Sequence, residues 1–158
     1  MYKRYLVPVD GSDTSNKALV TALQMARDSG GVLRLVHLEN DLVTLGIGGV
    51  DPGVVESLLE HAHSAAQKVI ADATAIAESA GVTVDSRLVT VTGERLGDVM
   101  AREAAEWNAD LIVVGSHGRR GIGRVLLGSG AEQIVRRSTV PVLVIRSASP
   151  ETSNKEYS

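Results

Sequence analysis

A doubly wound α/β fold with five parallel strands in the order 3-2-1-4-5 and helices on both faces is what this sequence predicts, on three observations. Short apolar runs alternate with longer amphipathic segments, the pattern of a parallel sheet covered by crossover helices. Glycines stand where the amphipathic segments end, as at Gly30-Gly31 and Gly81. The core must be aliphatic: 44% of the 158 residues are hydrophobic, but only 3% are aromatic and there is no Phe.

The first strand spans about Tyr5 to Val9. The first helix follows, with Ala18, Leu19, Ala22, Leu23 and Ala26 at helical spacing. Ser12, Asp13 and Thr14 are its available caps, and Asp13 is assigned to capping. Val32 to Leu38 forms the second strand. Glu39 to Gly53 is irregular and glycine-rich, and reads either as a mobile loop or lid, or as a tolerated surface insertion. The second helix runs from Val54 to Ala80 with Leu58, Ala62, Ala65, Val69, Ala73 and Ile76 on its inner face. Val82 to Val89 is the third strand. The third helix covers Glu94 to Trp107, with Leu96, Val99, Met100 and Ala104 turned inward. Asp110 to Val114 is the fourth strand, Ser129 to Arg137 the fourth helix, and Val140 to Ile145 the fifth strand. Residues 1–146 make one domain, and the polar stretch from Ser147 to Ser158 is expected to be a disordered tail.

Bulk properties exclude several classes. A net charge of −3 gives no electrostatic case for nucleic acid or an anionic membrane. Tyr2, Tyr5, Trp107 and Tyr157 are too few to build base-stacking platforms. With no Cys there is no disulfide, thiolate metal site or cysteine nucleophile, which suits a reducing compartment. No apolar stretch approaches the ~18 residues of a membrane span and no signal peptide is visible, so a cytoplasmic location is expected.

Right-handed crossovers place the loops after the first and fourth strands on the same carboxyl edge, where doubly wound sheets bind ligands. The loop after the fourth strand carries the richest pattern, Gly115, Gly118 and Gly128-Ser129, closing at a helix start. Glycines admit a ligand to bare amides, and a helix N-terminus adds unpaired N–H groups and partial positive charge, so the pattern predicts a phosphate cradle. A purely structural set of tight turns is the alternative. Ser129 can donate to a phosphate oxygen or cap the fourth helix, and the two roles are compatible. Gly118→Val is expected to abolish binding. Gly118, Gly121 and Gly123 have the wrong order and place for a dinucleotide motif, and neither a P-loop nor the Rossmann glycine pattern after the first strand occurs.

Asp10 ends the first strand and is placed to hold a ribose hydroxyl or a magnesium-bound water. Pro8 lacks an N–H, so strand pairing is expected to loosen there. Arg119, Arg120 and Arg124 read equally as phosphate partners or as a solvated basic loop. His117 has no acid or nucleophile visibly paired with it, which favours positioning over base catalysis. His37 reads as structural. His61 and His63, two apart on a helix, make a poor metal pair, and no metal site built by protein ligands alone is expected. Arg136 and Arg137 suit the end of the fourth helix and are given no binding role. The apolar VPVLVI strand lies at the sheet's edge, which invites pairing with a second copy across a two-fold axis.

On these residues the chain resembles the nucleotide-binding universal stress proteins, whose signature G-x2-G-x9-G-[ST] reads here Gly115, Gly118, Gly128, Ser129. VPVDGS and VPVLVIR also resemble that family. The resemblance implies a flavodoxin-like (Rossmann-like, adenine nucleotide alpha hydrolase-like) sheet that binds ATP with magnesium, in a homodimer joined through the last strand, Val140 to Ile145. It implies that Pro8, Val9 and Asp10 line the adenosine end, that Leu38 touches adenine, and that Val114 and Gly115 meet adenine or ribose. Gly118, Gly128, Ser129, Gly130 and Ala131 would hold phosphates, and Ser116 and His117 fall within the same loop. A cytoplasmic regulatory dimer with a regulated protein partner is the leading expectation. A slow ATP hydrolase or phosphotransferase, a nucleotide-independent interaction module, and AMP or cyclic AMP as the ligand remain open.

Overall fold

The computed structural model describes residues 1–41, 49–117 and 127–146. Nine elements follow in chain order: β1 (Arg4–Pro8), α1 (Asp13–Ser29), β2 (Val32–Asn40), α2 (Pro52–Ser79), β3 (Val84–Val91), α3 (Leu96–Trp107), β4 (Leu111–Gly115), α4 (Ser129–Arg137) and β5 (Val142–Ile145). The strands form one parallel sheet in the order β3-β2-β1-β4-β5. Alternation along the strands splits the core. Tyr5, Val7, Leu33, Leu35, Leu111 and Val113 face α1 and α2. Leu6, Val36, Ile112 and Val114 face α3 and α4.

The helix ends follow local chemistry. Ser12 is the N-cap of α1, its side chain accepting from the Ser15 amide, so Asp13 is the first helical residue, where its charge suits the dipole. Gly30 closes α1 in the left-handed region at φ 65°, and the Gly31 amide returns to the Ala26 carbonyl. Asn108 makes the same left-handed stop after α3, at φ 53°.

Several boundaries differ from expectation. β2 runs on to Asn40, because β3 offers partners as far as the Asn40–Val91 pair. Asp51 caps α2 and Pro52 opens it, which shortens the expected loop of residues 39–53 from both ends; residues 42–48 lie outside the described residues. β3 starts at Val84 rather than Val82, since the Val82 amide still donates to Ala77 at the end of α2. The inner face of α2 is rotated in part: Ala73 is buried and Val69 packs on the core as expected, but Ala66 and Ala77 are buried where Ala65 and Ile76 were expected, and Leu58 and Ile76 are exposed. Pairing at Pro8 loosens on one side only. Pro8 remains in register with Val36 of β2, but the β1–β4 ladder stops at Leu6–Ile112. The Val9 amide points to β2 while the Arg4 carbonyl points to β4, so the position of the missing proline N–H faces β4. The expected tail of residues 147–158 lies outside the described residues.

Candidate functional site

Where β1 and β4 part, the chain leaves β1 toward α1 on one face and leaves β4 toward α4 on the other. A cleft of about 470 Å³ opens at this point, in the usual range for small-molecule sites. Pro8, Val9, Leu38, Val114 and Gly115 line it from the strand ends, with Asp10 and His117 from the loops and Ser129, Gly130 and Ala131 from the first turn of α4. These ten residues expected from the sequence are therefore together.

The remaining three expected site residues are placed differently. Ser116 is buried and does not line the cleft: its amide donates to Ile145 and its carbonyl accepts from Gly128. Gly128 stands behind the lining as the N-cap of α4. Gly118 lies outside the described residues, as do Gly121, Gly123, Arg119, Arg120 and Arg124.

Two loops are tied together at the cleft's edge. The Asp10 carboxylate accepts from the Ser12 amide at 2.9 Å, and the Asp10 amide donates to Ser15 Oγ at 3.1 Å. The Thr14 hydroxyl donates to the His117 carbonyl. A Cβ on Gly115 would lie 2.6 Å from the Thr14 carbonyl carbon, so the bare backbone there admits the first turn of α1. A Cβ on Gly128 would lie 2.7 Å from the Ser116 carbonyl oxygen, the atom that accepts the Gly128 amide at the same distance. Returning chain and strand end thus meet backbone to backbone.

This contact leaves α4 without a side-chain cap. The first intrahelical bond runs from the Glu132 amide to the Gly128 carbonyl. The amides of Ser129, Gly130 and Ala131 accordingly have no partner among the described residues, at the positive end of the helix dipole and at the cleft wall. That arrangement suits an anionic oxygen.

Two histidines add polar groups. His117 was expected to have no nucleophile paired with it, but its Nδ1 lies 2.9 Å from Ser116 Oγ, while its Nε2 is buried without a hydrogen-bond partner among the described residues. A buried orphan nitrogen is costly unless a ligand completes it. His37 was expected to be structural; its Nδ1 lies 2.6 Å from the Val9 carbonyl, and the residue also lines the cleft. Since a carbonyl only accepts, Nδ1 carries a proton toward it.

Sequence reasoning missed the far wall, formed by Glu94, Arg95 and Leu96 before and within α3 and by Gln133 on α4. No motif marks them. Their one signal was position, on the carboxyl edge after the third strand. Elsewhere His61 and His63 do not converge: His61 bonds the Ser57 carbonyl and His63 the Glu39 carboxylate. Among the described residues no group of three metal-ligating side chains forms, and no helix is long and apolar enough to cross a membrane.

Comparison with known proteins agrees with the fold. The model of the universal stress protein family matches residues 1–146. Universal stress protein YxiE of Bacillus subtilis is 30% identical over 151 residues, covering 92% of this chain and all of that protein. A universal stress family protein from Burkholderia pseudomallei superposes with a TM-score of 0.73 at 32% identity, over 92% of this chain and 97% of its own. A universal stress protein solved in complex with cAMP matches with a TM-score of 0.63 at 28% identity, over 93% and 98% of the two chains.

Proposed function

This chain belongs to the universal stress protein family, and from that premise we propose that its cleft binds an adenine nucleotide, with ATP as the ligand, in a cytoplasmic regulatory homodimer. The observation that carries the reading is the uncapped first turn of α4, whose Ser129, Gly130 and Ala131 amides have no partner among the described residues and stand at the wall of a cleft at the switch point of the sheet. Adenosine fits the apolar end formed by Pro8, Val36, Leu38 and Val114. Asp10, held by its own turn, is positioned for a ribose hydroxyl. The relative solved with cAMP supports the nucleoside part of the reading.

The residues present also fit magnesium as a companion of the phosphates. Asp10 is the carboxylate on the β1 side of the cleft, and it would reach the ion through a bound water. When bound, magnesium neutralises charge between phosphate oxygens. Occupancy would act on the 39–53 segment or on a partner's surface, by favouring whichever state binds nucleotide more tightly.

Calorimetry on protein stripped of nucleotide tests the proposal. Micromolar binding of ATP with magnesium near one site per chain is expected. Gly128→Val, which drives a side chain into the Ser116 carbonyl, is expected to weaken it at least tenfold. Absence of binding to ATP, AMP and cAMP by folded wild-type protein would overturn the reading.

A further inference from the structure

A second cavity of about 400 Å³ lies between the first turn of α3 and the C-terminal half of α4. Arg95, Gly97, Asp98, Gln133, Arg136 and Arg137 line it. Arg95 and Gln133 also line the nucleotide cleft, so the two spaces adjoin.

The charges of this region are unequal in their commitments. Arg136 pairs with Glu132 at 2.8 Å and Arg137 with Asp98 at 3.2 Å. Glu94, the acid next to Arg95 in the chain, is taken by Arg102 at 2.7 Å. Arg95 itself has no ion pair or hydrogen bond from its side chain to any described residue. It is also the one Arg or Lys on the cleft wall among the described residues. With Arg136 and Arg137 each paired, Arg95 is the arginine of the second cavity left without an acidic partner among the described residues.

Distance favours a phosphate chain as the occupant. A Cβ on Gly130 would lie 2.9 Å from Leu96 Cδ2, so the first turns of α3 and α4 touch. Arg95 immediately precedes Leu96, which puts its guanidinium within side-chain reach of an oxygen held by the α4 amides. The α3 terminus adds to the field, because Arg95, its N-cap, makes no side-chain capping bond.

We infer that Arg95 and the adjoining α3–α4 cavity form a subsite for the distal phosphates of the bound nucleotide, making Arg95 a specificity-determining residue that selects nucleoside triphosphates over monophosphates. This rests on the nucleotide reading of the cleft and adds the residue and subsite that set the preference for a triphosphate. A guanidinium–phosphate contact forms only if those phosphates exist, so ATP gains from Arg95 while AMP, held by the α4 amides alone, does not.

The test is calorimetric titration of wild type, Arg95→Gln and Arg95→Lys with ATP and with AMP, each in magnesium, with thermal melts of all three. Arg95 is exposed and caps nothing with its side chain, so unchanged melting is expected. Wild type should bind ATP more tightly than AMP. Arg95→Gln should weaken ATP about tenfold and AMP less than twofold; Arg95→Lys should recover part of the ATP affinity. Equal losses for ATP and AMP, no loss for either, or wild-type ATP binding no tighter than AMP would overturn the inference while leaving the nucleotide site standing. Failure of both ligands with wild type would overturn the nucleotide reading, and this inference with it.

Discussion

At the scale of single residues, the site is built from backbone that approaches backbone. Gly115 and Gly128 fit the glycine signature, yet their immediate service is packing: one admits the Thr14 peptide, the other the Ser116 carbonyl. Gly128 thereby serves any ligand indirectly, by denying α4 a side-chain cap. Far from the cleft, Asp110 does a comparable job at the other end of β1. One of its carboxylate oxygens accepts the Lys3 amide at 2.8 Å and the Arg4 amide at 2.9 Å. These two amides, with the Lys3 bond the stronger influence, hold its pKa below the ordinary carboxylate value. A lowered folded-state pKa stabilises the fold above the unfolded value of about 4, and that contribution is lost as pH falls through the folded value. Asp110→Asn keeps an acceptor but removes the charge. It should lower the urea midpoint at pH 7, and the gap from wild type should narrow as pH falls below about 4 and through the folded value. A gap of constant size across that acid range would show that shape, not charge, is at stake.

At the scale of elements, α2 shows how an apolar pattern can mislead. Alanines recur on nearly every side of this 28-residue helix, so more than one stripe satisfies helical spacing. The expected stripe of Leu58, Ala62, Ala65, Val69, Ala73 and Ile76 carries the bulkier side chains, but the buried one shares Ala73 with it and otherwise runs through Ala66 and Ala77. Small side chains let the helix axis settle close to β2 and β3, with Val69 and Ile70 packing at its flanks. Ala77→Leu, at a fully buried position outside the expected stripe, should overpack that contact and cost about 1–3 kcal/mol. Ile76→Gln, on an exposed position, should fall within about 0.5 kcal/mol of wild type. Urea denaturation of the two variants decides between the stripes, and the reverse ranking would restore the first one.

At the scale of the whole molecule, the two sheet edges are unlike. β3 carries charged, exposed residues such as Asp85 and Arg87, which discourage strand addition. β5 carries only Val142, Leu143, Val144 and Ile145, all half-buried. The Pro141 and Ile145 carbonyls point to β4, so by alternation the polar backbone of Val142 and Val144 faces the free edge. A homodimer joined there, as proposed above, would use those groups. Val144→Pro removes a free-edge N–H without touching the ladder to β4, a substitution an edge strand tolerates. The folded variant should sediment as a monomer. An unaltered dimer would move the interface elsewhere.

The sequence by itself determined the order of elements and the strand order, and together with the family resemblance it carries it supplied ten residues that line the cleft. Alternating apolar runs, right-handed crossovers and a glycine signature are local or topological facts, and they need no side-chain packing to be read. Tertiary structure decided what depends on contact across the chain. It rotated α2, because burial there is set by how closely the helix can approach two strands. It ended the β1–β4 ladder at Leu6, because a proline N–H is missed only on the side where a partner stands. It brought His37, Arg95 and Gln133 to the cleft from segments without any motif, since proximity across the carboxyl edge leaves no periodic trace in the chain. Three of the glycine signature's four residues proved to be seats for other backbone or for free amides: Gly115, Gly128 and Ser129. Which of those roles each one takes is a matter of what packs against it, and that is written only in the folded molecule.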